Sequence, residues 1–335
     1  MKIGIPRALT YHWFYPLWKS YFETLKIETV VSPPTSKNIV DEGLKFAVDE
    51  ACLPVKIFLG HVAYLVDKAD FIFVPGIKST EPKRYYCPQI IALPETSTLT
   101  FNDKKVFLTP EINSHAGEMK WKDGYYDFAL KLGYDHAAAR EAVESFDNVQ
   151  GNVQNGICDS DDTQDFADSQ QPEAKADTLK IALIGHPYLV NDPFVNFDLK
   201  RKLREQGAVI KTPQELSKSQ VDENTALLLK KDLFWSYPRN MVAASVYHSK
   251  EDIVDGFILL STFGCGTNAV IEPYMLKATE KMPLITVTLD EHTSPTGIQT
   301  RLEAFLDMVI KYKEVQNEGS ISLDGALAYR SRSVL

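Results

Sequence analysis

Short unbroken apolar runs alternate along this chain with longer stretches whose apolar positions recur every three or four residues. The first kind of pattern predicts strands buried on both faces, and the second predicts helices with one buried stripe. KIGIP at 2–6, the segment 28–32 and DFIFVP at 70–75 read as strands. Helices are predicted over 17–25 and 37–49. Another follows Cys52, where Val55, Phe58, Leu59, Val62, Leu65 and Val66 share a face and Pro54 suits a first turn. A loop carrying Cys87 comes after the third strand. From 179 the pattern begins again, with strands at 179–185, 208–212, 255–261 and 283–290 and helices at 194–206, 224–248, 268–279 and 297–313. Strands alternating with helices build parallel βαβ units. The expected fold is therefore α/β, as two doubly wound, flavodoxin- or Rossmann-like parallel-sheet domains with a cleft between them.

Between the two patterns, residues 147–177 are poor in large apolar side chains and rich in Asp, Gln, Asn and Ser. Such a stretch cannot bury enough apolar surface to offset its ordering entropy. The expected division is an N-terminal domain at 1–146 carrying Cys52 and Cys87, an acidic flexible linker at 147–177, a C-terminal domain at 178–315 carrying Cys265, and an arm of weak periodicity at 316–335.

Charge follows the same division. Ten acidic residues against Lys175 alone lie between 141 and 177, which accounts for the whole net charge of −9. The rest of the chain is balanced, with no basic stripe for nucleic acid and no basic amphipathic helix for a membrane surface. No apolar run approaches the ~20 residues that span a bilayer. The opening MKIGIPRALT lacks the apolar core of about 7–15 residues found in a signal peptide, so a cytoplasmic location is expected.

Four cysteines in 335 residues do not make a disulfide scaffold. Cys158 lies in the acidic segment and reads as a bystander. Cys52 in DEACLP, Cys87 in YYCPQ and Cys265 in FGCGTN each sit beside Pro or Gly at the edge of an apolar segment. Pro and Gly force turns that can aim a thiolate inward. In open α/β sheets ligands collect beyond the carboxyl ends of the strands, where Cys87 and Cys265 fall. Cys52 and Cys265 also stand at predicted helix N-termini, with Thr267 or Asn268 as a candidate cap. The N–H groups and dipole there favour a thiolate. Converging, the three would form a thiolate pocket suited to a cubane iron–sulfur cluster with one iron lacking a cysteine. Two other readings stay open at this point. The cysteines can be buried small hydrophobes, or three of four zinc ligands with His61, His186 or His292 as the fourth.

The segments KIGIPRAL, SPPT, AVDEACLPVKIFLGHV, FIFVPGIKS, YYCP, DGFILLSTFGCGTNAVIEPYM and TLDEHTSPTGIQTRLEAF together resemble the activase-related branch of the 2-hydroxyacyl-CoA dehydratase subunit family, which is similar to the D-component of 2-hydroxyglutaryl-CoA dehydratase. The likeness covers nearly all of the chain except the acidic insert and the C-terminal arm. It implies two flavodoxin-like domains around a 4Fe-4S cluster held by three cysteines, which would here be Cys52, Cys87 and Cys265. It implies a partner too, an ATP-dependent activase of the actin/Hsp70-like superfamily that delivers a low-potential electron. It further implies a homodimer or a heterodimer with a related subunit, and a small, possibly acyl-CoA, substrate that is reduced or radically dehydrated. The chain has no Gly-rich phosphate loop of its own, so ATP hydrolysis would belong to the partner.

Other residues were weighed around this pocket. Glu50 and His292 are candidate proton-transfer groups, and Glu272 is a third carboxylate near a cysteine. Arg301 can pair with Glu272, Asp290 or an anionic ligand. Lys78 and Arg84 can meet an acidic partner or lie on a solvated loop. The segment GHPYLVNDP at 185–193 follows a strand and can line the cleft. The aromatic run from Tyr11 to Tyr15 reads as packing or a partner surface. The alternative to an enzyme is a non-catalytic accessory protein that carries a cluster, a metal or an electron. A third possibility is a metal-free small-molecule binding module.

Overall fold

The computed structural model describes residues 1–101, 104–117, 120–153 and 178–317. Cys158 and most of the expected linker and arm lie outside the described residues. The first half runs β1 (Lys2–Ile5), α1 (Tyr11–Thr24), β2 (Glu28–Val31), α2 (Lys37–Leu44), α3 (Leu53–Leu65) and β3 (Phe71–Phe73). It continues through β4 (Gly76–Ser79), α4 (Pro88–Ile91), α5 (Leu93–Phe101), β5 (Val106–Leu108), β6 (Glu111–Asn113), α6 (Trp121–Lys131) and α7 (His136–Val153). The second half comprises β7 (Lys180–Ile184), α8 (Pro187–Val190), α9 (Leu199–Glu205), β8 (Val209–Lys211), α10 (Lys218–Leu228) and α11 (Ser236–Lys250). It closes with β9 (Gly256–Thr262), α12 (Gly266–Ala278), β10 (Leu284–Leu289) and α13 (Pro295–Asn317).

Each half has one four-stranded parallel sheet, ordered β2-β1-β3-β5 in the first and β10-β9-β7-β8 in the second. Numbered within its own half, each sheet has the order 2-1-3-4, which is the doubly wound arrangement expected from the sequence. A small parallel pair, β4 with β6, stands beside the first sheet. In this order the connections leave the first strand in opposite directions, so a crevice opens beyond the carboxyl ends of β1 and β3, and likewise of β7 and β9.

Side-chain alternation shows how the second sheet is covered on both faces. Ile181, Leu183, Ile258 and Leu260 join a large core that runs on into the first half, where it holds Ile3, Ile5, Trp18, Tyr21 and Phe73. Their neighbours Ala182, Ile184, Phe257 and Leu259 face a second cluster with Met241, Val242 and Ala243 of α11. The period of two in a continuous apolar run therefore feeds two cores at once.

The strands β4, β5 and β6 and the helices α4–α7 occupy the stretch where the pattern gave only a loop after the third strand, and three further local features depart from the reading by pattern. Helix α1 begins at Tyr11, so the aromatic run is its first turns, and Pro16 sits inside it near the N-terminal end. Trp13 and Trp18 are buried there. The stretch expected as one helix at 224–248 is two, α10 and α11, broken at 229–235. Pro238 lies in the first turn of α11, where its missing N–H costs nothing, whereas in an unbroken helix it would clash with the preceding turn. Finally, α7 continues through Val153, into the span read as linker.

The helices flanking the first cysteine cross at glycines. A Cβ on Gly43 of α2 would stand 1.9 Å from the Lys56 carbonyl oxygen, and one on Gly60 of α3 would stand 1.9 Å from that of Ile39. Only glycine permits so close an approach. This contact fixes α3, and with it the loop that presents Cys52.

Candidate functional site

All three cysteines occupy the same local position. Cys52 is the N-cap of α3, Cys87 of α4 and Cys265 of α12. Pro54 and Pro88 lie in the first turns that follow, and Gly264 precedes Cys265 in the left-handed region at φ 76°. Each cysteine is half-buried and none is in a disulfide. Thr267 touches the Cys265 sulfur at 3.4 Å. Asn268 is not a cap. It is buried, with its side-chain amide aimed at Ser261 and the Leu260 carbonyl.

The loops are brought together by contacts between the halves. A Cβ on Gly264 would lie 3.3 Å from the Glu50 carbonyl oxygen and 3.9 Å from the Cys52 Cα, so the Cys265 turn packs directly on the Cys52 turn. Ahead of Cys87, Tyr85 forms a parallel bridge with Trp235, its N–H donating to the Phe234 carbonyl at 2.6 Å. Arg84 donates to the Leu233 carbonyl and to Asp232, both at 2.6 Å, and Asp232 also accepts from Arg239. Arg84 is therefore an internal clamp and not a free cation awaiting a partner. Lys56 reaches Glu291 in the turn after β10 at 2.6 Å.

The thiols lie within electrostatic reach of one another. Burial pushes the Cys52 thiol up to about 12, and the Cys265 and Cys87 thiols add to the rise. Burial also raises the Cys87 thiol, with a smaller addition from Cys265. Backbone N–H groups of Val55, Gln89 and Ile90 pull the other way, as a helix N-terminus should, but desolvation outweighs them. For Cys52, expected at a helix N-terminus, the sequence points to a lowered value. In the apoprotein Cys52 and Cys87 are instead held protonated, and a metal would have to displace those protons.

Tyr188 on α8 is buried, and its hydroxyl is held protonated first by burial and then by the charges that Cys265, Cys52 and Cys87 could carry, so the three thiols lie within electrostatic reach of it. Its ring stacks on His186 at 5.0 Å and meets Trp13 edge-on at 6.0 Å. Asn268 Oδ1 can only accept, so His186 donates to it from Nε2 at 3.1 Å. Burial keeps that imidazole neutral, lowered to about 4.

The remaining candidates are distributed around this centre. Glu50 is exposed on the turn before Cys52. His292 is exposed after β10, its backbone N–H donating to Asp290 at 2.9 Å, while its neighbour Glu291 is the residue that points back to α3. Arg301 donates to the Thr286 carbonyl at 2.7 Å, and Lys78 lies 3.6 Å from Glu111. His61 is fully buried, with Nδ1 2.8 Å from Ser32 Oγ and Nε2 3.1 Å from Thr35 Oγ1. Among the described residues no His, Cys, Asp or Glu group is gathered closely enough for a single metal ion. A cubane, being larger than one ion, holds its thiolates farther apart, and three thiols of unlike origin at three helix N-termini suit it as donors. Sequence reasoning missed Tyr188, Thr35, Asp192, Lys56 and Glu291 as parts of this region. Tyr188 and Asp192 lie in GHPYLVNDP, and Thr35, Lys56 and Glu291 lie in segments that carry the family resemblance, but no residue-level signal singled them out.

The architecture defines a two-domain α/β protein whose crevice is lined by N-cap thiols from both halves. A family model described as CoA enzyme activase uncharacterised domain (DUF2229) matches residues 2–216, and the chain belongs to that family. The match takes in Cys52, Cys87 and Tyr188 and ends before Cys265. No curated protein matches the chain. Among the described residues no helix is long and apolar enough to cross a membrane.

Proposed function

We propose that this chain is an iron–sulfur protein of the activase-related branch of the 2-hydroxyacyl-CoA dehydratase subunits, working in ATP-coupled, low-potential electron transfer to a small, acyl-CoA-type substrate. The observation that supports this reading is the packing of the Cys265 turn on the Cys52 turn, with Cys52, Cys87 and Cys265 each at a helix N-cap and within electrostatic reach of one another. The family's description links the chain to CoA enzyme activation. The three thiolates would hold a 4Fe-4S cluster, which supplies one-electron reducing power when bound. The helix N–H groups behind each thiolate stabilise its negative charge. Tyr188, Trp13 and His186 keep water from one side. Glu50 and His292 stand at the exposed rim, where a carboxylate and an imidazole can exchange protons with a substrate. The electron donor is an activase of the actin/Hsp70-like type, and a dimer, of like or related subunits, is the expected assembly.

Anaerobic purification followed by iron analysis tests this. About four iron atoms per chain with broad absorbance near ~400 nm are expected for a cysteine-bound cubane. Cys52→Ser, Cys87→Ser and Cys265→Ser should each lose iron, and Cys158→Ser should keep it. Iron retained in all three single variants would overturn the assignment. Turnover with an activase, ATP and a reductant distinguishes an enzyme from an electron carrier.

A further inference from the structure

A small cavity of about 10 Å³ lies between the halves, lined by Ala8, Leu9, His12, Pro54, Tyr188 and Asp192 among others. His12, on α1, is 4% exposed, and neither ring nitrogen has a hydrogen-bond partner among the described residues. Leaving such a group unpaired costs more than a typical hydrogen bond returns. The opposite wall is better satisfied. Thr35 donates to Asp192 Oδ2 at 2.5 Å, and the Phe194 and Val195 N–H groups donate to Oδ1 at 3.0 and 3.2 Å.

The directions of these bonds can be worked out. Since the Thr35 hydroxyl donates to Asp192, its oxygen must accept from His61 Nε2, so Nδ1 of His61 accepts from the Ser32 hydroxyl. Ser32 Oγ in turn accepts the Arg7 N–H at 2.8 Å. Every donor in this row points towards Asp192, and its last bond, from Thr35, crosses from one half to the other. Among the described residues Oδ1 accepts from these two N–H groups and Oδ2 from Thr35.

We propose that this cavity is a binding site for one water molecule, which donates to Asp192 Oδ2 and pairs with His12, extending the Ser32–His61–Thr35–Asp192 row to the wall formed by Tyr188. The volume suits a single water, and the site offers polar partners of both kinds. Burial holds His12 neutral, so the ring keeps one donor and one acceptor for this role. The polar partners of the site, His12 and Asp192, are not among the residues assigned to the thiol pocket, although Pro54 and Tyr188 line both.

The test uses the metal-free full chain. A high-resolution crystal structure should show an ordered water within hydrogen-bond distance of a His12 nitrogen and of Asp192. His12→Phe, which keeps the ring shape and removes both nitrogens, should lower Tm by several degrees, and His12→Asn should recover part of that loss while retaining the water. A dry cavity, or a His12→Phe protein whose Tm is unchanged or raised, overturns the proposal, since removing a truly unpaired buried polar ring stabilises. Iron content plays no part in either readout, so failure of the cluster reading leaves this result standing.

Discussion

Lys56 and Glu291 form a 2.6 Å ion pair between the first helical turn after Cys52 and the turn after β10. The lysine side chain is 6% exposed and the glutamate 18%. Burial works to raise the Glu291 carboxyl, but the hydrogen bond and charge of Lys56 outweigh it and hold the carboxyl below its ordinary value. A depressed carboxyl stabilises the fold above its unfolded value, about 4.3, and that contribution is lost as pH falls through the folded value. Glu291→Gln should therefore cost about 1.5–3 kcal/mol at pH 7, with the gap from wild type closing in strong acid. Urea unfolding of both proteins at pH 7 and at pH 3 measures this. A gap that stays constant would show that the charge of Glu291 is not its source.

Asp192 has the opposite sign. Burial raises its carboxyl more than the hydrogen bonds from Thr35 and the Val195 and Phe194 N–H groups lower it. Stability from this group is complete below its unfolded value, about 3.9, and declines as pH rises through the raised folded value. Asp192→Asn removes that decline. A pH series of unfolding midpoints should be flatter for the Asn variant above pH 4, and parallel curves would contradict the sign.

Gly60→Ala places a methyl where the Ile39 carbonyl oxygen already stands, at 1.9 Å. Neither atom is the end of a flexible side chain, so α2 and α3 must part. The expected loss is about 3 kcal/mol or more, seen as a lower denaturation midpoint or as insoluble protein. A variant as stable as wild type would mean that α2 is not packed on α3 in this way.

Gly264→Ala combines two penalties. The residue has φ 76°, and its Cβ would lie 3.3 Å from the Glu50 carbonyl. The left-handed backbone alone costs an alanine about 1–2 kcal/mol. Denaturant unfolding should show that loss. On the cluster reading, iron content should fall as the Cys265 turn moves off the Cys52 turn. Unchanged iron with reduced stability would separate the pocket's geometry from the glycine's.

Most strands of the two four-stranded sheets were legible as short apolar runs, as in LKIALIG and GFILLS, whereas β5 and the β4–β6 pair are too short to stand out in that way. The two fold halves and their parallel order followed from alternation. Helix limits were less legible, since Pro238 breaks a periodic stretch that apolar spacing alone joins. The cysteines were visible through their Pro and Gly neighbours, but their acidity was not. Helix N-termini pointed down, and the depth of the crevice, a property of the assembled halves, moved Cys52 and Cys87 up. Residues such as Tyr188, Thr35 and Asp192 carry no motif. Their roles arise from meeting across the crevice, a fact that no local window of sequence holds. Arg84 looked like a solvent or partner cation for the same reason, because its acid lies 148 residues away.

The third thiol arrives late in the life of the molecule. Cys52 and Cys87 leave the ribosome together, whereas Cys265 follows 178 residues later. At about 5–20 residues per second, that is on the order of ten to forty seconds of synthesis. Throughout that interval the nascent chain displays two of the three pocket thiols and an unfinished crevice, so loading of a centre that needs all three must wait until Cys265 has emerged.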